Sequence, residues 1–290
     1  MKWDFLLYSA VALFLAIAFP ESVSALSTTP DKPQTASISL GAEFASGTYG
    51  TDSTTRSVYV PLIATWSPNE RFDVGIEVPF IYQSSSNVTS SLYSTSQSTT
   101  TTTAAAKGGP GGNSGAFPGN SSASGSLSSD VSGLGDIILR LGVIALFEGD
   151  KAPQLRPSLF VKFPTASTSD GLGTGEFDFG VGVDASKWYG DLHLIGEGFY
   201  TWQGKADGFG LKNYLSYTAG VGYQLTKSVE PMLLVKGATA PSSYSGDLLE
   251  ARARVIWSLT DTTMLDLYGS LGIADSSPDY GGGLSVIYSF

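Results

Sequence analysis

The chain has 290 residues, a formal net charge of −10 and only 14% charged residues, against roughly a quarter in an ordinary soluble domain. The absence of cysteine excludes a disulfide framework, a thiol nucleophile and a cysteine-built metal site, and the acidic balance excludes general nucleic-acid binding, which needs cations for the phosphate backbone. Thirty-five glycines and 12% aromatic residues leave little to cover a soluble surface, yet beyond residue 19 no apolar run of about 18 residues could cross a bilayer as a helix.

The N-terminus begins with Lys2, continues through an apolar stretch at residues 5–19, and reaches Pro20 and the small-residue site Val23-Ser24-Ala25. That order predicts a signal peptide over residues 1–25, cleaved on export, and a short periplasmic segment over 26–34.

From residue 35 the pattern has period two. Ala36, Ile38, Leu40, Ala42 and Phe44 oppose Ser37, Ser39, Gly41 and Glu43 in the first run, and Phe72, Val74, Ile76, Val78, Phe80 and Tyr82 oppose Asp73, Gly75 and Glu77 in the third. Such runs recur twelve times, centred near residues 40, 61, 77, 141, 160, 181, 197, 219, 234, 253, 269 and 285. Short polar turns follow every second run, as in "SPNE", "YGD" and "TDTT", while the intervening connections are mostly longer. The longest, residues 84–133, is a Ser/Thr/Gly/Ala tract that cannot bury enough apolar area to offset its ordering entropy, and reads as a low-complexity outer loop.

Alternating connection lengths, an even strand count and runs long enough to cross a bilayer when tilted predict an all-β fold: a transmembrane antiparallel up-and-down β-barrel of twelve strands over residues 35–290, with short periplasmic turns and longer extracellular loops. Lipid cannot satisfy backbone groups, so the last strand must pair with the first. Trp66, Trp188, Tyr189 and Trp257 fall near the short turns and Tyr82, Tyr200 and Trp202 near the opposite ends, the placement of two interfacial girdles. In the closing run Leu284, Val286, Tyr288 and Phe290 share the lipid face, and a terminal aromatic after alternating apolar residues resembles the signal read by bacterial barrel-assembly machinery. The expected partners are therefore outer-membrane lipid, that machinery through Phe290, and a small solute.

The faces opposite the apolar stripes carry Glu43, Glu77, Arg140, Lys162, Asp178, Asp184, Glu197, Lys236, Glu250, Arg252, Arg254 and Asp266, the candidate lumen-lining residues. Mixed signs suit pairing across the wall better than a single-sign ion filter, because intramembrane charges seek one another, although they also mark solute pathways. The single histidine, His193, follows a short turn and points inward near the periplasmic rim, a poor place for lipid hydrolysis at the outer leaflet. No phosphate loop, zinc spacing or EF-hand pattern is present, and the sequence implies no catalytic residue, metal or cofactor.

The stretches "YVPLIATWSPNERFDVGIEVPF" (residues 59–80), "GLGDIILRLGVIAL" (133–146) and "VKFPTAS…GTGEFDFGVGV" (161–183) resemble the bacterial outer-membrane proteins grouped as the meta-pathway phenol-degradation family, often described as transporters. The resemblance spans roughly residues 35–290. It implies an outer-membrane channel or transporter for small solutes, aromatic or apolar compounds among them. A structural or interaction barrel docking a periplasmic partner is the alternative, and a lipid-modifying enzyme a more distant one.

Overall fold

The computed structural model describes residues 35–50, 52, 54–84, 94–97, 113–116, 130–206 and 209–290. The predicted signal peptide, the segment at 26–34 and most of the loop at 84–133 lie outside the described residues. The strands in chain order are β1 (Ala36–Gly47), β2 (Thr55–Trp66), β3 (Phe72–Gln83), β4 (Ser94–Gln97), β5 (Asn113–Ala116), β6 (Val131–Leu134), β7 (Ile137–Val143), β8 (Gln154–Phe163), β9 (Asp178–Tyr189), β10 (Leu192–Trp202), β11 (Tyr214–Tyr223), β12 (Val229–Ala238), β13 (Leu248–Ser258), β14 (Thr263–Gly272) and β15 (Tyr280–Ser289).

β4 and β5 pair only with each other. The remaining strands form one antiparallel sheet in which each pairs with its neighbour in sequence and β1 pairs with both β2 and β15. β6 and β7 both pair with β3 and together make one wall strand, so the sheet closes as a twelve-stranded barrel. At the seam the Phe290 carbonyl accepts from the amides of Thr35 and Ala36, while the Phe290 amide donates to Ala36. Closure removes the free edges that a bilayer would not tolerate.

The turns segregate by end. Residues 67–71, 144–153, 190–191, 224–228 and 259–262 turn at the end where Thr35 meets Phe290; residues 48–54, 84–130, 164–177, 203–213, 239–247 and 273–279 connect strands at the other. Local chemistry fixes the tight ones. Asn69 Oδ1 accepts from the amides of Arg71 and Phe72, Thr260 Oγ1 accepts from Thr262 and Thr263, and Gly190 takes φ 65° at the first central position of a two-residue hairpin.

Burial is inverted relative to a soluble domain. Ile38, Leu40, Phe44, Leu62, Phe80, Val181, Val183, Leu215 and Leu233 are exposed, while Asp73, Glu77, Arg156, Lys162, Asp184, Lys236, Arg254 and Asp266 are buried inside. A continuous apolar exterior of this kind is the face of a protein in lipid.

Two sequence expectations need correction. Trp188 is 8% exposed against 58% for Trp66, because on β9 it shares the inward parity of Asp184 and Ser186 rather than that of Tyr189; it belongs to the interior and not to the girdle. The long outer segment ends at residue 130, not 133: Val131–Leu134 is a strand despite its loop-like composition, held by the β3 ladder. Its separation from β7 has a cause in the neighbouring strand. Pro79 has no amide proton to give, its carbonyl accepts from the Gly135 amide, and the β3 register shifts by one residue between Glu77↔Ile138 and Phe80↔Leu134. The result is a bulge that turns Asp136 into the barrel.

Candidate functional site in the barrel lumen

The interior is organised in levels. Near the short-turn end lie Met232, Leu234 and Ile256, with Ile195 and Met264 against them. Beside that cluster His193, 0% exposed, stacks on Trp188 at 4.1 Å and meets Glu230 Oε1 through Nδ1 at 2.6 Å. The β7–β8 turn is tied to the same rim, because Glu148 accepts from Lys187 Nζ and from the Trp188 amide.

The middle is charged. Arg156 binds Asp73 with Nε and Nη2 and reaches Asp184 Oδ2 with Nη1 at 2.9 Å. Space for this fork comes from Gly142, where an added Cβ would lie 2.1 Å from Arg156 Nη2. Arg254 grips Asp266 through two bonds of 2.8 and 2.6 Å, the fork geometry that suits Arg over Lys. Arg252 pairs with Glu250 and lies 4.5 Å over the Tyr268 ring, whose hydroxyl donates to Glu43. Glu77 takes the Tyr59 hydroxyl and Arg140 Nη2, and the Arg140 guanidinium lies 5.4 Å over Phe160.

Toward the longer-loop end the sequence motifs converge on one corner. Lys162 Nζ lies 3.0 Å from Asp136 Oδ2 and 2.7 Å from Asp178 Oδ2. Asp136 Oδ1 accepts the Ala166 amide, Asp178 Oδ1 accepts the Gly204 amide, and Thr165 Oγ1 accepts from Ile137 while donating to Gly135. The segment 164–177 therefore starts pinned, and it turns inward. Leu172 and Ala166 are buried with Tyr59 and Ile81, two inward side chains of β2 and β3. Glycines provide the room: a Cβ at Gly133 would lie 2.7 Å from Leu172, and one at Gly135 would lie 2.5 Å from Ile81. A strap of outer loop thus packs into the mouth of the lumen.

All the candidate residues read from sequence lie on inward faces. Glu77, Lys162, Asp178, Asp184, Lys236, Glu250, Arg252, Arg254 and Asp266 are buried, while Glu43, Arg140 and Glu197 are half-buried and open toward the lumen. Arg140 joins Glu77; Lys162 joins Asp178; Glu250 joins Arg252; Arg254 joins Asp266. Glu43 finds Tyr268 and Asp184 finds Arg156, neither of them on the candidate list. Sequence reading set Asp73 opposite the apolar stripe without naming it a candidate, and it missed Asp136, Glu230 and Tyr59. Arg156 shares the parity of Lys162 on β8, and Asp136 shares that of Ile138 and Arg140 on β7, so both were legible; the bulge reverses parity only on the β6 side, where Leu134 faces outward.

Among solved structures, the fold is similar to that of the COG4313 outer membrane channel from Pseudomonas putida F1, with a TM-score of 0.63 over 93% of this chain and 100% of that chain at 14% identity. It is also similar to the NanC porin (TM-score 0.50, 10% identity, 87% of this chain and 98% of that chain) and to the KdgM porin (TM-score 0.50, 8% identity, 88% and 99%). At such identities the likeness is one of fold. No curated protein matches the sequence. The family described as "Putative MetA-pathway of phenol degradation" matches residues 78–290, from the middle of β3 through the closing strand and across all the convergent motifs of the Lys162 corner, and the chain belongs to that family.

Proposed function

We propose that the protein is a channel of the bacterial outer membrane that passes small solutes, aromatic or apolar compounds among them. The observation that carries this reading is the inverted barrel: a closed twelve-strand wall, apolar outside, with a charged lumen whose half-buried Glu43, Arg140 and Glu197 lie midway along it. A barrel built only as a scaffold gains nothing from desolvating so many ions, since well-packed apolar side chains would be as stable or more so. The COG4313 likeness supports a channel, and the phenol-degradation family supports aromatic cargo.

Twelve strands enclose a bore between the filled small barrels and the wide porins, which suits narrow conduction. The inward strap at 164–177 narrows the outer mouth, so a solute must displace it or pass beside it. Export through a cleaved signal peptide and assembly through Phe290 belong to the same proposal. The test is reconstitution in planar bilayers and in liposomes loaded for solute flux. Conductance steps with phenol-sized solutes entering faster than into empty vesicles are expected; a folded barrel that neither conducts nor admits solute would overturn the reading.

A further inference from the structure

The lumen wall mixes signs, but the connections above its longer-loop end do not. Residues 48–54 carry Asp52, 239–247 carry Asp247, 273–279 carry Asp275 and Asp279, and 164–177 carry Asp170 and Glu176, with no Lys or Arg in any of the four. All six carboxylates are exposed. Residues 84–130 add one Lys and one Asp, and residues 203–213 add two Lys and one Asp, so the connections at this end together hold five negative charges in excess.

The rim that bears these charges is tied together. The Gly246 amide donates to Ser276 Oγ and the Leu249 amide to Ser277 Oγ, joining 239–247 to 273–279. Leu211 bridges to Ser242, and the Lys212 amide donates to the Pro241 carbonyl, joining 203–213 to the same group. Asp247 is fixed in turn, its Oδ1 accepting the Ala240 amide. On the strap, Asp170 lies two residues before Leu172, the side chain that packs into the mouth against Tyr59 and Ile81, so the inward-turned segment brings a carboxylate to the entrance.

Below the rim no excess of opposite sign answers it. The inward faces hold ten carboxyl side chains against six Lys and Arg. Asp184 and Glu197 are hydrogen-bonded to each other and so share a proton, and His193 lies against Glu230; with both allowed for, the wall stays negative by two. An entering anion is repelled at the mouth and then meets Arg156, Lys162 and Arg254 already held by carboxylates.

We infer that the rim of Asp52, Asp170, Glu176, Asp247, Asp275 and Asp279 is a charge filter, which makes the channel selective for cations over anions and turns away small aromatic solutes in their carboxylate form. Charges of one sign around a narrow opening with low-dielectric walls raise the local concentration of counter-ions and depress that of co-ions. The filter acts through solvent, so it fades with salt: the Debye length is about 10 Å at 0.1 M and about 3 Å at 1 M. Uncharged solutes are indifferent to it. The inference rests on the channel reading and narrows its cargo to neutral and cationic solutes.

The test is the reversal potential of the full-length barrel reconstituted in planar bilayers under a potassium chloride gradient, with sodium benzoate as the aromatic anion. Potassium should be favoured over chloride several-fold at about 0.1 M salt, with the ratio falling toward unity at about 1 M. Replacing the six rim carboxylates by Asn or Gln keeps their shape at exposed positions; it should bring the low-salt ratio toward unity and raise the benzoate current. The salt dependence of the wild-type barrel carries the same readout if that variant fails to fold. Anion preference, a ratio near unity at low salt, or a ratio indifferent both to salt and to the rim variant would overturn the filter. A wild-type barrel with no conductance at all removes the channel reading and the filter with it; conductance without cation preference removes the filter alone.

Discussion

Lys162 is the group whose removal tests the architecture most directly. Its ammonium sits between Asp136 on the β6–β7 bulge and Asp178 at the start of β9, at 3.0 and 2.7 Å, with all three side chains buried. Lys162→Met keeps the stem and volume but leaves two buried carboxylates whose remaining donors are the Ala166 and Gly204 amides. Breaking a buried pair from one side costs about 3–5 kcal/mol, because an uncompensated charge stays behind. Removing both carboxylates as well, in Lys162→Met/Asp136→Asn/Asp178→Asn, leaves a neutral corner and should restore most of that loss. The assay is reversible urea unfolding of the detergent-refolded barrel, followed by tryptophan fluorescence, with the m-value checked for constancy. Released from its anchor, the strap at 164–177 should also become cleavable by added protease in the single variant. A loss under about 1 kcal/mol for Lys162→Met, the range of exposed ion pairs, would refute the reasoning that this corner is desolvated.

Leu172→Ala removes the strap's buried anchor against Tyr59 and Ile81; it should lower stability by about 2–5 kcal/mol and raise conductance in planar bilayers. Gly142→Ala places a methyl against the Arg156 fork and should cost about 1–3 kcal/mol by urea midpoint, with Arg156→Met/Gly142→Ala showing clear non-additivity. Leu62, exposed midway along β2, faces lipid, so Leu62→Arg should cost about 2–4 kcal/mol in bilayer refolding; a neutral result would contradict a membrane-embedded wall. Removing Phe290 should reduce the folded, heat-modifiable fraction in cells while leaving refolding in detergent largely intact, which separates recognition during assembly from stability.

The barrel was legible because its physics is local and repetitive. A period-two pattern such as Ile38, Leu40 and Phe44 against Ser37, Ser39 and Glu43 states which face meets lipid, and alternation of short and long connections states which ends go together. Parity also found the inward ions, from Glu77 on β3 to Asp266 on β14. It failed where the period breaks. Trp188 was misplaced because an aromatic beside a turn reads as interfacial until its parity with Asp184 is followed. The strand at Val131–Leu134 was missed because the bulge opposite Pro79 reverses the count before Asp136, and no period survives a one-residue insertion.

Sequence by itself determined the fold class, the strand number and the charged character of the interior, since each depends only on what neighbouring residues in one strand prefer to face. Tertiary structure alone decided which ions pair and where the outer loops are anchored. Arg156 meets Asp73 and Asp184 across separate strands, Lys162 joins the β6–β7 bulge to the start of β9, and Asp184 comes to face Glu197 only through the register of β9 and β10. Register and bulges are set by the closure of the whole sheet, with side chains from distant strands meeting around one axis, and no local pattern in the chain encodes that meeting.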